Sequence, residues 1–411
     1  MEERPANRIL FPVLGILMNL CMGNLYAWSV FRIPLQKEFG WSAFDATIPF
    51  SVSIGAFAVG MVLAGRWQDK AGPKPVAITG GLLFGAGWAL SALMGSTLLG
   101  LNIAFGVLGG VGIGFAYVTP IATTVKWWPD KRGLMTGLVV MGFGAGAFIG
   151  GIGGPLLVAS TGPLNTLGIL GIVFGIVVAG CGSLLRNPPA GYRPAGWTPP
   201  APAPGAKAVK YDYTGGEMVG TGAFWMLWVA YLISAGVGLV VISQASPIGQ
   251  EMAKLTPVVA GGALTFLALF NGAGRPGFGW ISDTIGRKNA WMLVFAFHLI
   301  SLFLILPNAS SFGIYVAGLG FVGFAFGGTL ALMPAFTADY FGTKNLGVNY
   351  GWLFSAYGVA GVVQPLYAAR LRGLVDSWAT IFYYLAGACI LGLICAALVR
   401  APAPKEAVAK A

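Results

Sequence analysis

Charge is what this chain has least of. Only 9% of its 411 residues are Asp, Glu, Lys or Arg, and histidine occurs once, as His298. Soluble globular domains carry about a quarter charged residues, so that class is excluded. The four cysteines, Cys21, Cys181, Cys389 and Cys395, lie inside apolar runs without metal-ligand spacing and read as core thiols. The sequence contains no nucleophile–base pair, metal cluster or phosphate-binding P-loop. Neither an enzyme nor an ATP-driven pump is expected, and no cofactor or metal is called for.

What fills the chain is apolar sequence: 56% hydrophobic residues, 64 glycines and a mean hydropathy of +0.78. Runs of about 20 apolar residues, enough to cross a bilayer as a helix, occur at 9–31, 43–64, 75–95, 98–122, 134–158, 165–185, 223–245, 257–280, 289–306, 312–336, 348–368 and 378–399. The prediction is an all-α polytopic protein with twelve transmembrane helices in a lipid bilayer. The N-terminal run is too long for a signal-peptide core and lacks a small-residue cleavage site, so it is expected to remain as the first span.

The net charge of +11 is topological and implies no nucleic acid. With both termini inside, only Arg32, Lys37, Lys254, Arg370 and Arg372 fall in outer loops and Arg275 in a span, leaving 18 of the 24 basic residues inside. The positive-inside rule then predicts a multi-pass protein of the inner (plasma) membrane, with the termini and central loop cytoplasmic. Glu251, Lys254, Arg370 and Arg372 gather in outer loops, either as an extracellular gate or as solvated charge.

Residues 186–218, rich in proline, glycine and alanine, read as a cytoplasmic linker between six-span bundles at 1–185 and 219–411. A shift of 214 residues, the distance from Gly65 to Gly279, also places Asp69 on Asp283, Gly72 on Gly286 and Lys74 on Lys288. It continues through Gly109 and Gly323, Gly114 and Gly328, Pro120 and Pro334, Gly133 and Gly347, Gly137 and Gly351, and Gly144 and Gly358. One offset kept through Asp, Pro and Lys identifies a duplicated unit and a pseudo-two-fold axis. The stretches "GRWQDKAGPK" (65–74) and "GWISDTIGRK" (279–288) suit tight inner turns. Glycine permits the bend, and aspartate accepts hydrogen bonds from a helix N-terminus or a basic side chain.

These paired loops resemble the signature of the major facilitator superfamily, and the likeness covers essentially the whole chain. It implies two six-helix bundles rocking about a central cavity, with Gly65, Asp69, Gly72, Lys74, Gly279, Asp283, Gly286 and Lys288 in the conformational-switch loops. "GNLYAWSVFRIPLQKEFGWS" in the first span and "WWPDKRGLMTG" after the fourth resemble, more narrowly, the monocarboxylate carriers and bacterial oxalate–formate exchangers. The likeness implies a monomeric secondary transporter whose partners are protons and a small organic monocarboxylate anion such as lactate, pyruvate, acetate or propionate.

Arg275 carries the functional expectation, because a charge in a span costs about 2.5–3.5 kcal/mol on insertion scales. Snorkelling is one reading: seven residues from the span midpoint near Ala268 put its Cα about 10 Å from the bilayer centre, within reach of the interface. The other reading is a cavity. Asn271 stands one turn earlier on the same face, whereas the first-half equivalents, Phe57 and Met61, are apolar. Gly272, Gly274, Pro276 and Gly277 permit close packing or a local break, as in discontinuous cavity-lining helices. All thirteen Asp and Glu residues fall in tails, loops or span ends, so no buried counter-charge is expected. A guanidinium fork matches a carboxylate bidentately, which makes a substrate anion the expected mate.

The exchanger resembled here carries a further lysine in the eleventh span, where this chain has Tyr357, so one cation suits a monoacid better than a diacid. Animal-type carriers carry an aspartate where Asn271 stands and a first-span lysine where Trp28 stands, which leaves the proton-carrying residue open. By likeness, Tyr26 with Leu25, Tyr117, Phe326, Leu330 and Tyr357 line the site, each with helix packing as the alternative. His298 is either a proton relay or a packed ring on an outer helix. An oxalate–formate-type exchanger and, from another class, a non-transporting sensor are the competing readings.

Overall fold

The computed structural model describes residues 8–42, 45–189, 191–194, 196–197, 211–372, 374–375 and 377–402. Twelve helical spans follow one another. The first consists of Leu10–Met22, a 3-10 turn at Gly23–Ala27, and Trp28–Phe39. The second to sixth are Ile48–Ala71, Pro73–Met94, Leu98–Trp127, Arg132–Thr161 and Pro163–Ser183. The second half runs Gly222–Met252, Leu264–Ile285, Arg287–Asn308, Phe312–Phe341, Leu346–Arg372 and Trp378–Leu398. The twelve spans anticipated from hydropathy are therefore present.

Among the described residues, nine helices are long and apolar enough to cross a membrane. The fifth, eighth and eleventh spans complete the twelve. All three take part in the contact between bundles: the fifth packs on the eighth and the eleventh on the second. Polarity on the eighth and eleventh spans is directed inward, with Asn271, Arg275 and Asn349 all buried.

Apolar side chains gain little by leaving lipid for another helix, so small residues that let backbones touch become decisive. A Cβ on Gly65 would lie 2.2 Å from the Gly347 carbonyl oxygen, and one on Gly279 would lie 2.3 Å from that of Gly133. These four positions are related by the 214-residue offset, so the repeat reads as two symmetric crossings between the bundles. Gly72 and Gly286 sit at φ +81° and +86°, where only glycine turns freely into the next span.

Of the two alternatives for the eighth span, close packing holds and a local break does not. The eighth span is a continuous α-helix through Pro276; its glycines serve packing, since a Cβ on Gly274 would meet the Phe324 carbonyl oxygen at 2.1 Å. The first span instead carries a 3-10 turn at Gly23–Ala27, where a Cβ on Gly23 would lie 1.9 Å from the Phe143 carbonyl oxygen.

Candidate functional site between the bundles

Arg275 is 1% exposed. Its guanidinium turns away from lipid, across the bundle interface. Nη1 donates to the Val140 carbonyl of the fifth span, while Nε and Nη2 donate to Asn271 Oδ1 at 3.2 and 2.9 Å. Snorkelling does not occur, because a neutral amide one turn back and a carbonyl from the other bundle already hold the fork. Arg275 forms no ion pair among the described residues. A guanidinium carries five N–H donors; three are engaged, which leaves one on each terminal nitrogen. Asn271 Nδ2 is likewise buried without a partner.

Tyrosines from both bundles surround this cation. Tyr26, in the 3-10 turn, meets Tyr357 of the eleventh span hydroxyl to hydroxyl. Tyr117 packs edge-on against Phe143 at 5.5 Å and Phe57 at 5.1 Å, and Tyr117 and Phe57 both meet Phe354, at 5.8 and 5.0 Å. Phe326 lies parallel to Tyr357 at 6.4 Å, and Leu330, one turn on, shares its face. Leu25 is buried beside Tyr26 in the same turn.

Tyr231 and Tyr350 escaped the sequence reading. Both are buried, and their rings meet Phe354 at 6.3 and 5.8 Å. A signal existed: Tyr350 stands two turns before Tyr357, and neither Tyr231 nor Tyr350 has an aromatic counterpart at the 214-residue offset, where Leu17 and Thr136 stand. The site thus gathers spare N–H donors of Arg275 and Asn271 among buried tyrosines, with no carboxylate among the described residues to receive them.

The signature loops lock one end of the molecule. Asp69 accepts from the backbone N–H of Gly347 and Val348 at 3.0 and 2.9 Å, capping the eleventh span of the opposite bundle. Asp283 accepts from Gly133 and Leu134 at 3.1 and 2.9 Å, capping the fifth. A carboxylate at a helix N-terminus satisfies open donors and complements the dipole. Among the described residues only the second lock carries an ion network: Arg287 pairs with Asp283 at 2.5 Å and with Asp339 at 2.8 Å, and Asp339 also accepts from Arg132. Lys74 and Lys288 form no ion pair among the described residues; the adjacent Arg287 does the pairing instead.

Other candidates fall elsewhere. His298 is buried in the second bundle, with Nε2 3.0 Å from Ser234 Oγ, itself 2.6 Å from Thr329 Oγ1. No hydrogen bond among the described residues links that cluster to Arg275. Arg372 pairs with Glu251 at 2.5 Å, joining the seventh and eleventh spans of one bundle, so this contact does not bridge the halves as a gate between them would. The side chain of Arg370, with Glu2, Glu3, Asp376 and Glu406, lies outside the described residues. All four cysteines are free.

The family model described as Major Facilitator Superfamily matches residues 13–365 and 254–411. The oxalate:formate antiporter of Oxalobacter formigenes is 30% identical over 371 residues, 87% of this chain and 83% of that protein. Apicoplast pyruvate carrier 1 of Toxoplasma gondii is 24% identical, covering 83% of this chain and 79% of its own. Among solved structures, FucP in the outward conformation superposes with a TM-score of 0.70 at 16% identity, over 95% of this chain and 98% of that one.

Proposed function

This chain belongs to the Major Facilitator Superfamily of membrane transporters, and we propose that it carries small monocarboxylates, of the lactate, pyruvate and short-chain class, together with protons by alternating access. The observation that supports this reading is Arg275: a buried cation with one unspent donor on each terminal nitrogen, an orphan amide beside it and buried tyrosines around it. A carboxylate takes two parallel N–H bonds from such a fork. Asn271 and the Val140 carbonyl orient the fork before substrate arrives. Tyr26, Tyr117 and Tyr357 supply apolar walls and hydroxyls, with Phe326, Leu25 and Leu330 bounding a small side chain.

A monoacid balances the single cation, whereas a diacid leaves a buried negative charge unpaired. Uncompensated, a monoanion works against about 2.3 kcal/mol per 100 mV of membrane potential; a proton carried with it removes that term. The basic loops face the cytoplasm of the plasma membrane in this reading, so the two aspartate locks close the cytoplasmic side, and breaking them opens it.

Exchange of carboxylates is a second reading, favoured by the likeness to an oxalate:formate antiporter. Titration of the purified protein with mono- and dicarboxylates, followed by uptake into proteoliposomes with and without a pH gradient, tests both. Lactate uptake accelerated by an inward proton gradient supports symport; uptake indifferent to it, with oxalate–lactate counterflow, replaces symport by exchange. Absence of monocarboxylate binding defeats the substrate assignment.

A further inference from the structure

At the basic end, away from Arg275, a cavity of about 480 Å³ opens beside the locks. Among the described residues its walls carry four cations and no acid: Lys126 from the end of the fourth span, Arg132 from the start of the fifth, Arg193 from the segment after the sixth, and Lys344 between the tenth and eleventh. Tyr192 and Trp197 add aromatic surface. Lys126, Arg193 and Lys344 form no ion pair among the described residues. Arg132 gives a terminal nitrogen to Asp339 but keeps Nε buried without an acceptor. Of the nearby carboxylates, Asp130 holds Arg8 at 2.8 Å, while Asp212 and Asp69, close enough to act on Lys126, bond to backbone N–H groups, Asp212 to those of Thr343 and Lys344 at 2.9 and 3.0 Å.

We propose that this cavity is a regulatory site for a phosphate-bearing organic anion of nucleotide size, held by the four cations and stacked on the aromatic wall. Converging Arg and Lys donors match phosphate oxygens, and a flat aromatic edge suits a base. The volume falls in the range of about 300–1,000 Å³ usual for small-molecule sites.

The walls come from both bundles: Arg132 adjoins Gly133 of one lock, and Lys344 stands three residues before Gly347 of the other. Separating the bundles at this end draws Lys126 and Arg132 away from Lys344, so a ligand touching both favours the closed form and resists its opening. The regulatory part rests on the alternating-access reading; the binding part does not. Phosphate chemistry is shared by soluble nucleotides and anionic lipid headgroups, and the test separates these sources.

The full chain in neutral detergent is titrated calorimetrically with ATP and with pyrophosphate, then compared with the R193Q/K344Q variant, both positions being exposed. The proposal expects saturable binding, ATP tighter than pyrophosphate, weakened about tenfold or more in the variant through loss of charge-assisted bonds. Binding confined to nanodiscs containing phosphatidic acid, and lost in the variant, assigns the phosphate to lipid. Absence of binding in every arm, or binding unchanged by R193Q/K344Q, overturns the site. ATP trapped inside proteoliposomes is expected to slow lactate uptake by the native chain and not by the variant; bound ATP that leaves uptake unchanged overturns the regulatory role. A chain that moves no lactate defeats the transport reading and leaves the titration intact.

Discussion

Replacing Arg275 by lysine preserves the charge and removes the geometry. The guanidinium holds Asn271 Oδ1 through two nitrogens and the Val140 carbonyl through the third, and still presents two free N–H bonds. An ammonium has three donors on one atom; it cannot keep both anchors and also receive a carboxylate in two-point fashion. At 1% exposure water offers little compensation. The loss is therefore at least one charge-assisted hydrogen bond, about 1.5–3 kcal/mol. At about 1.4 kcal/mol per decade that is roughly a 10- to 150-fold fall in lactate affinity. Calorimetric titration of native and R275K protein reads the ratio directly, and uptake into proteoliposomes reads its effect on transport. Equal affinity and equal uptake would refute two-point recognition of the carboxylate.

Asn271→Asp places a carboxylate about 3 Å from the guanidinium, the distance the amide oxygen now occupies; monocarboxylate affinity is expected to fall at neutral pH and recover as pH drops and the new acid protonates, which binding curves across pH check. Asp283→Asn removes one of the two oxygens that accept the backbone caps and leaves Arg287 with Asp339 as its ion partner, whereas Asp69→Asn disturbs caps alone. Thiol-labelling rates at the basic end should rise in both and more in the former, the difference reflecting about 1–3 kcal/mol for an ion-paired buried group. Gly279→Ala drives a methyl to 2.3 Å from the Gly133 carbonyl oxygen, so transport should collapse while the chain still inserts and folds, as size-exclusion profiles will report. Glu251→Gln should leave transport unchanged and lower the melting temperature slightly: a pair in which each side chain is 31% exposed contributes under about 1 kcal/mol.

Periodicity and composition disclosed the twelve spans, and the constant offset disclosed the duplication, because burial in lipid writes long unbroken apolar runs. The crossing points were half visible: Gly65, Gly133, Gly279 and Gly347 emerged as repeats, but only coordinates show each glycine facing the backbone of its partner. Arg287 was hidden because its first-half counterpart is Pro73, so symmetry gave it no emphasis. Tyr231 and Tyr350 were passed over since one tyrosine among many aromatics carries no local sign of which way it faces. The 3-10 turn in the first span was also illegible, as Gly-Asn-Leu-Tyr-Ala contains no proline and the close neighbour of Gly23, the Phe143 backbone, comes from far along the chain.

Each half lends its aspartate to the other half's helix, and neither cap is available to a lone half. Such reciprocal bracing means that recognition between the two units is written into their own surfaces, so the peptide joining them is dispensable for pairing. Two separately translated polypeptides, divided between the sixth and seventh spans, should find one another in the bilayer and rebuild a working carrier.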